Sequence, residues 1–97
     1  MAKNSLLEIL IESLPTDKES AVTQDYLSQA VGVSRRNIRQ LVQQARKEGY
    51  GVCSSPYRGY WLSTEPADIM ETVAILNAQA KTIIDTVDSL YKILENN

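Results

Sequence analysis

The chain has 97 residues, 43% hydrophobic and 23% charged, with ten basic and twelve acidic side chains and a net charge of −2. That composition suits one compact domain with an appended element and excludes a disordered or low-complexity protein. The absence of histidine and the single cysteine, Cys53, exclude zinc fingers, Ser-His-Asp and Cys-His catalysis and an internal disulfide.

No segment approaches the ~20 apolar residues of a membrane helix, and MAKNSLLEIL lacks the cleavage site of a signal peptide. The expectation is a cytoplasmic protein with no membrane partner. Cys53 reads as a small residue in or near a hairpin. Charge is unevenly spread. Residues 34–62 carry six basic side chains against one acid, a balance of +5, while residues 63–97 carry two against six, a balance of −4. A positive middle and a negative tail are hidden in the mean.

The first helix is expected over Ser5–Ser13, stopped by Pro15. Its apolar residues, Leu6, Leu7, Ile9, Leu10, Ile11 and Leu14, cover about 200°, wider than the ~100° stripe of a helix with one buried face. Something besides the local core is expected to cover the excess. PTDKESA reads as a polar loop. A second helix starts at the N-cap Thr23, with Asp25 in its first turn and an inner stripe of Leu27, Ala30 and Val31. Gly32 ends it.

A third helix opens at the N-cap Ser34 and runs to about Glu48, with Gly49 closing it. With Ile38 at the centre of the inner face, Leu41, Val42 and Ala45 lie within about 60° of it. Arg36, Gln40, Gln43 and Lys47 lie opposite, Arg39 and Gln44 beside them, and Arg35 and Arg46 between the faces. Then Tyr50–Cys53 and Gly59–Leu62 read as strands flanking the loop Ser-Ser-Pro-Tyr-Arg. Tyr60 and Leu62 share one face and Trp61 takes the other, where it is expected to meet the terminal segment.

That segment starts near Glu65-Pro66 and contains no further Gly or Pro. Ile69, Val73, Leu76, Ala80, Ile83, Val87, Leu90 and Leu94 are spaced 4, 3, 4, 3, 4, 3, 4, an unbroken heptad stripe. A helix of ~30 residues spans roughly 45 Å, longer than the domain before it. The positions flanking the stripe carry no charge, and Ile84, Tyr91 and Ile93 widen it towards the C-terminal half. The pattern favours bundle-like homodimerisation through these eight residues, with the first helix also involved. Packing within one chain is the alternative.

Two helices joined by a tight Gly turn, then a hairpin, resemble a winged helix-turn-helix. The run VTQDYLSQAVGVSRRNIRQLVQQARKEGYGVCSSPYRGYWL is similar to the type in the N-terminal domain of the biotin operon repressor. The likeness is carried by the stripe Leu27, Val31, Val33, Ile38 and Leu41, the turn Gly32-Val33-Ser34, the helix end Glu48-Gly49-Tyr50 and the strand Gly59-Tyr60-Trp61-Leu62. Ser28 stands where relatives often carry alanine.

The resemblance implies a mainly α fold with a small β-hairpin. Residues 1–62 would form the winged DNA-binding domain and residues 63–97 a long dimerisation helix. It further implies that the third helix enters the DNA major groove, with Ser34, Arg35, Arg36, Asn37, Arg39 and Gln40 nearest the bases and Gln43 further along. The tip from Ser54 to Arg58 would touch backbone or minor groove.

The residue chemistry agrees. Arginine can bond guanine's O6 and N7, and asparagine or glutamine can pair with adenine's N6 and N7. The candidate DNA-binding set is Ser34, Arg35, Arg36, Asn37, Arg39, Gln40, Gln43, Lys47 and Arg58. Two readings stay open for Arg58, a phosphate contact and a polar turn residue. Two also stay open for Tyr57, stacking on sugar and packing over the hairpin.

The expected function is a homodimeric, sequence-specific regulator of transcription that binds double-stranded DNA. Proteins of this build resemble small regulators of bacteria, phages and plasmids. The alternatives are a replication or partition accessory protein, or a module that binds a further protein partner through its apolar surfaces. No cofactor, no metal and no catalytic activity are expected.

Overall fold

The computed structural model describes residues 5–96; residues 1–4 and Asn97, the outer ends of the two expected units, lie outside that range. In chain order come α1 (Leu6–Ser13), a short 3-10 turn (Lys18–Ser20), α2 (Gln24–Val31), α3 (Arg35–Lys47), β1 (Val52–Ser55), β2 (Gly59–Leu62) and α4 (Pro66–Glu95). The fold is mainly α with one antiparallel hairpin and a long terminal helix, as the sequence implies.

Each short helix begins on a side-chain cap. Ser5 Oγ accepts from the Glu8 amide while Glu8 Oε1 accepts from the Ser5 amide, a closed capping box. Thr23 Oγ1 accepts from the Tyr26 amide and Ser34 Oγ from the Asn37 amide. Gly32, at φ 84°, turns the chain between α2 and α3. Ser28 fastens that turn, because its hydroxyl donates to the Val33 carbonyl. The serine at this position therefore adds a hydrogen bond across the turn.

Leu10, Leu27, Ile38 and Ala45 are fully buried, and Leu14, Val31, Val42 and Val52 nearly so. Leu7, Ile9 and Ile11 pack against the same cluster, so α1's wide apolar arc is largely covered by its own domain. Of α1's apolar side chains only Leu6 stays exposed, at 46%. On α2 the inner stripe is Leu27 and Val31; Ala30 faces solvent.

The hairpin differs from the sequence expectation at β1. The strand begins at Val52, not Tyr50, because the Tyr50 amide still bonds the Ala45 carbonyl and completes the end of α3. It extends through Ser55, whose partner is Gly59. The loop shortens to Pro56–Arg58, and Gly59 leaves it at φ 103°. A Cβ on Gly59 would collide with the Val22 carbonyl. That contact reflects a second difference. PTDKESA is not wholly loop: Asp17 caps the 3-10 turn, and Val22 then bridges Tyr60 as a short third pairing.

Both hairpin edges are closed. On the β2 side the Pro15 carbonyl accepts from the Leu62 amide, and Val22 exchanges bonds with Tyr60. On the β1 side, Arg46 Nε donates to the Val52 carbonyl at 2.8 Å and Thr72 Oγ1 accepts from the Ser54 amide at 3.2 Å. Side chains thus satisfy backbone groups that would otherwise invite another strand. Thr72 is buried, and the first third of α4 is held on the outer face of the hairpin. Beyond it α4 projects, giving a molecule 57 Å long and 30 by 23 Å across.

Candidate nucleic-acid interface

The rotation of α3 is fixed by Ile38, Val42 and Ala45 in the core. With about 100° per residue, that leaves Arg36, Arg39, Gln40, Gln43 and Lys47 outward. All five are exposed, as are Ser34, Arg35, Asn37 and Gln44. No residue of α3 is acidic, and the first acid after it, Glu48, accepts from Gln44 Nε2 at 3.2 Å.

The candidate residues are not equally available. Arg36, Arg39 and Lys47 take part in none of the ion pairs among the described residues. Arg35 lies 3.3 Å from Asp25 of α2, and its carbonyl accepts from Gln24 Nε2 at 2.8 Å. Ser34 caps the helix. Arg58 lies 3.3 Å from Glu19, away from α3. Both ion pairs are exposed, so opening either in favour of a phosphate costs about 1 kcal/mol or less. Tyr57 is 96% exposed. The reading in which it packs over the hairpin is thereby removed.

Arg46 belongs to the scaffold. Besides the Val52 carbonyl it reaches Ser54 Oγ at 3.2 Å, and burial lowers its pKa. The sequence, which placed it between two faces, gave no sign of this strand-edge role. Trp61 is fully buried and does meet α4. Its Nε1 donates to Asp68 at 3.2 Å, and Lys18 Nζ sits 5.8 Å from its ring centre while bonding Glu71 at 2.7 Å. Cys53, opposite Trp61 on β1, is buried, and that burial pushes its thiol pKa up, away from reactive thiolate.

A cleft of about 310 Å³ opens between α3, the hairpin and α4. Arg39 and Gln43 line it from α3, Ser54 and Tyr60 from the hairpin, and Gln79 from α4. No acid lines it. Ser54 and Gln79 were not singled out from sequence, since nothing local marks a serine in a hairpin or a glutamine on a long helix as neighbours of an arginine face. The cleft continues the basic face of α3.

The chain belongs to the helix-turn-helix (HTH) domain family, whose model matches residues 3–61. That stretch holds α1, α2, α3 and most of the hairpin, and membership supports DNA binding by this unit. No curated protein and no solved structure matches the chain significantly. Among the described residues no helix is long and apolar enough to cross a membrane, and no group of three acidic or cysteine side chains is placed to hold a metal ion.

Proposed function

We propose that the protein is a homodimeric, sequence-specific regulator of transcription that acts by binding double-stranded DNA and carries out no catalysis. α3 enters the major groove, with Arg36, Arg39, Gln40 and Gln43 on base edges and Lys47 on phosphate. Ser34, Arg35 and Asn37 sit where the groove wall is closest, and Arg58 at the wing gives up Glu19 for the backbone. The observation that carries the reading is the exposed, acid-free face of α3, whose Arg36, Arg39 and Lys47 take part in no ion pair among the described residues. An ordinary solvated helix gains from mixed charges at i, i+4, and this one forgoes them.

The acidic balance of residues 63–97 keeps the distal helix off phosphate, and its heptad face joins two copies so that two α3 helices read half-sites related by twofold symmetry. The test is the double substitution Arg36→Ala/Arg39→Ala. Affinity for DNA should fall by ten- to a hundredfold or more, and the slope of log affinity against log salt should flatten. Unchanged DNA binding at moderate salt would sink the reading. Selection from random duplexes should enrich a motif with twofold symmetry.

A second reading, a scaffold that binds another protein, draws on the apolar surface of α4, where Ile83, Leu90 and Leu94 are exposed. It gains if the selection enriches nothing.

A further inference from the structure

The proposed homodimer leaves open which way its helices run, and three observations on α4 bear on that. The first is the order of residue sizes. The 4, 3, 4, 3, 4, 3, 4 spacing reads the same from both ends, so the stripe can pair with itself in either direction. Run parallel, each residue meets its own copy. Ala80 then faces Ala80 between a Leu76 layer and an Ile83 layer, leaving a gap in the middle of the seam. Run antiparallel, Ile69 meets Leu94, Val73 meets Leu90, Leu76 meets Val87 and Ala80 meets Ile83. Every layer but the outermost then sets a smaller side chain against a larger one, and none is left hollow.

The second is the gradient of exposure. It is 37–40% over Ile69, Val73 and Leu76 and 44–67% over Ile83, Val87, Leu90 and Leu94, because the host domain already walls one side of the stripe's first third. Towards the other end Ile84, Tyr91 and Ile93 broaden the exposed apolar surface with nothing beside them. Parallel pairing puts the two broad ends together and the two walled ends together. Antiparallel pairing puts each broad end beside a wall.

The third is shape. Ile69, Val73 and Leu76 form one side of a groove of about 310 Å³ whose other side is Tyr50, Gly51 and Val52. Near the opposite end Val87, Leu90, Tyr91 and Leu94 border a hollow of about 250 Å³. Each is open to solvent in the single chain. In the antiparallel arrangement the partner's Leu90 and Leu94 face the groove, and Ile69 and Val73 face the partner's hollow.

From these we infer that the two α4 helices pair antiparallel, the C-terminal third of each seated in the groove that its partner's domain makes with the start of α4. The partner occupying the groove is a second copy of this chain. The winged domains then sit at opposite ends of the seam. Their Thr72 anchors, each level with residue 91 of the other helix, are about 29 Å apart along the axis. That is close to the ~34–36 Å between half-sites one turn apart on duplex DNA.

The inference rests on the proposed homodimer, and spin-label distances separate the two. Full-length protein carrying a nitroxide at Asn96→Cys, and separately at Lys81→Cys, is measured by pulsed dipolar spectroscopy; buried Cys53 does not compete for label. Labels at 81, near the centre of the seam, should lie within about 25 Å in either direction of pairing. Labels at 96 should lie about 44 Å apart if antiparallel, and within about 20 Å if parallel. Short distances at both sites overturn the inference and leave the homodimer standing. No coupling at 81, with light scattering giving the mass of one chain, removes the homodimer and the inference together.

Discussion

Residues 66–76 and residues 77–95 belong to one helix and one heptad repeat, yet they occupy different surroundings. In the first stretch Thr72 is buried on β1, Asp68 holds Trp61 and Glu71 holds Lys18. In the second every residue is exposed, including Ile83, Val87, Leu90 and Leu94. The polar residues between the heptad positions make the difference. Near the domain they are used as specific tethers. Further out they cap only the helix's own backbone, as Thr82, Thr86 and Ser89 do by donating to the carbonyl four residues earlier. The same repeat therefore lies against the domain in one stretch and stands clear of it in the other.

Substitutions should behave differently in the two stretches, and the largest difference should come from the residue that anchors the first. Trp61→Ala removes a fully buried indole and should cost about 3–5 kcal/mol in denaturant unfolding, independent of protein concentration. Its counterpart in the second stretch, Ile83→Glu/Leu90→Glu, should leave the unfolding of the winged unit nearly unchanged. It should convert a dimer to a monomer by light scattering and lower affinity for a two-half-site DNA on the order of a hundredfold.

Within α3 the same contrast can be drawn between two arginines. Arg46→Ala leaves the Val52 carbonyl without its partner and should cost about 1–3 kcal/mol of stability. Arg39→Ala should change stability by less than about 0.5 kcal/mol and weaken specific DNA binding by about 1–3 kcal/mol. Equal effects of the two on stability would refute the division between scaffold and interface.

A smaller effect is expected from pH. Bonds from Ser63 Oγ and Trp61 Nε1 hold the Asp68 carboxyl below the usual aspartate range. A lowered value in the folded state stabilises the fold above that range, and the contribution disappears as pH falls through the lowered value. Asp68→Asn should therefore be less stable than the parent at neutral pH and lose less between about pH 5 and pH 2 in thermal melts. The smallest effect should be that of Arg58→Ala. Its exposed ion pair with Glu19 should contribute about 1 kcal/mol or less, while any loss of DNA affinity would report a wing contact.

Much of this was legible in the chain. The caps Ser5, Thr23 and Ser34, the turn at Gly32 and the buried side of α3 follow from local chemistry, because a cap or a helical face depends on residues within a turn or two. The expectations fail where a hydrogen bond that no periodic pattern encodes decides. The start of β1 moved because Tyr50 is claimed by Ala45, and the strand runs on to Ser55 because Ser54 and Ser55 pair with Tyr60 and Gly59. Ala30 belonged to the apolar stripe by spacing alone, and no neighbour covers it.

For the candidate interface the same boundary applies. The sequence by itself determined the family, the element order, the basic face Arg36, Arg39, Gln40, Gln43 and Lys47, and the unbroken stripe of α4, since each is a periodic pattern along one helix. Only the tertiary structure decided that Arg46 belongs to the strand edge, that Arg35 and Arg58 rest on Asp25 and Glu19, and that Gln79 lines the same cleft as Arg39. It also decided where along α4 the domain ends. Those outcomes depend on which residues folding brings within hydrogen-bond reach across gaps such as 18 to 71 and 54 to 72. A period along one helix carries no information about such pairs.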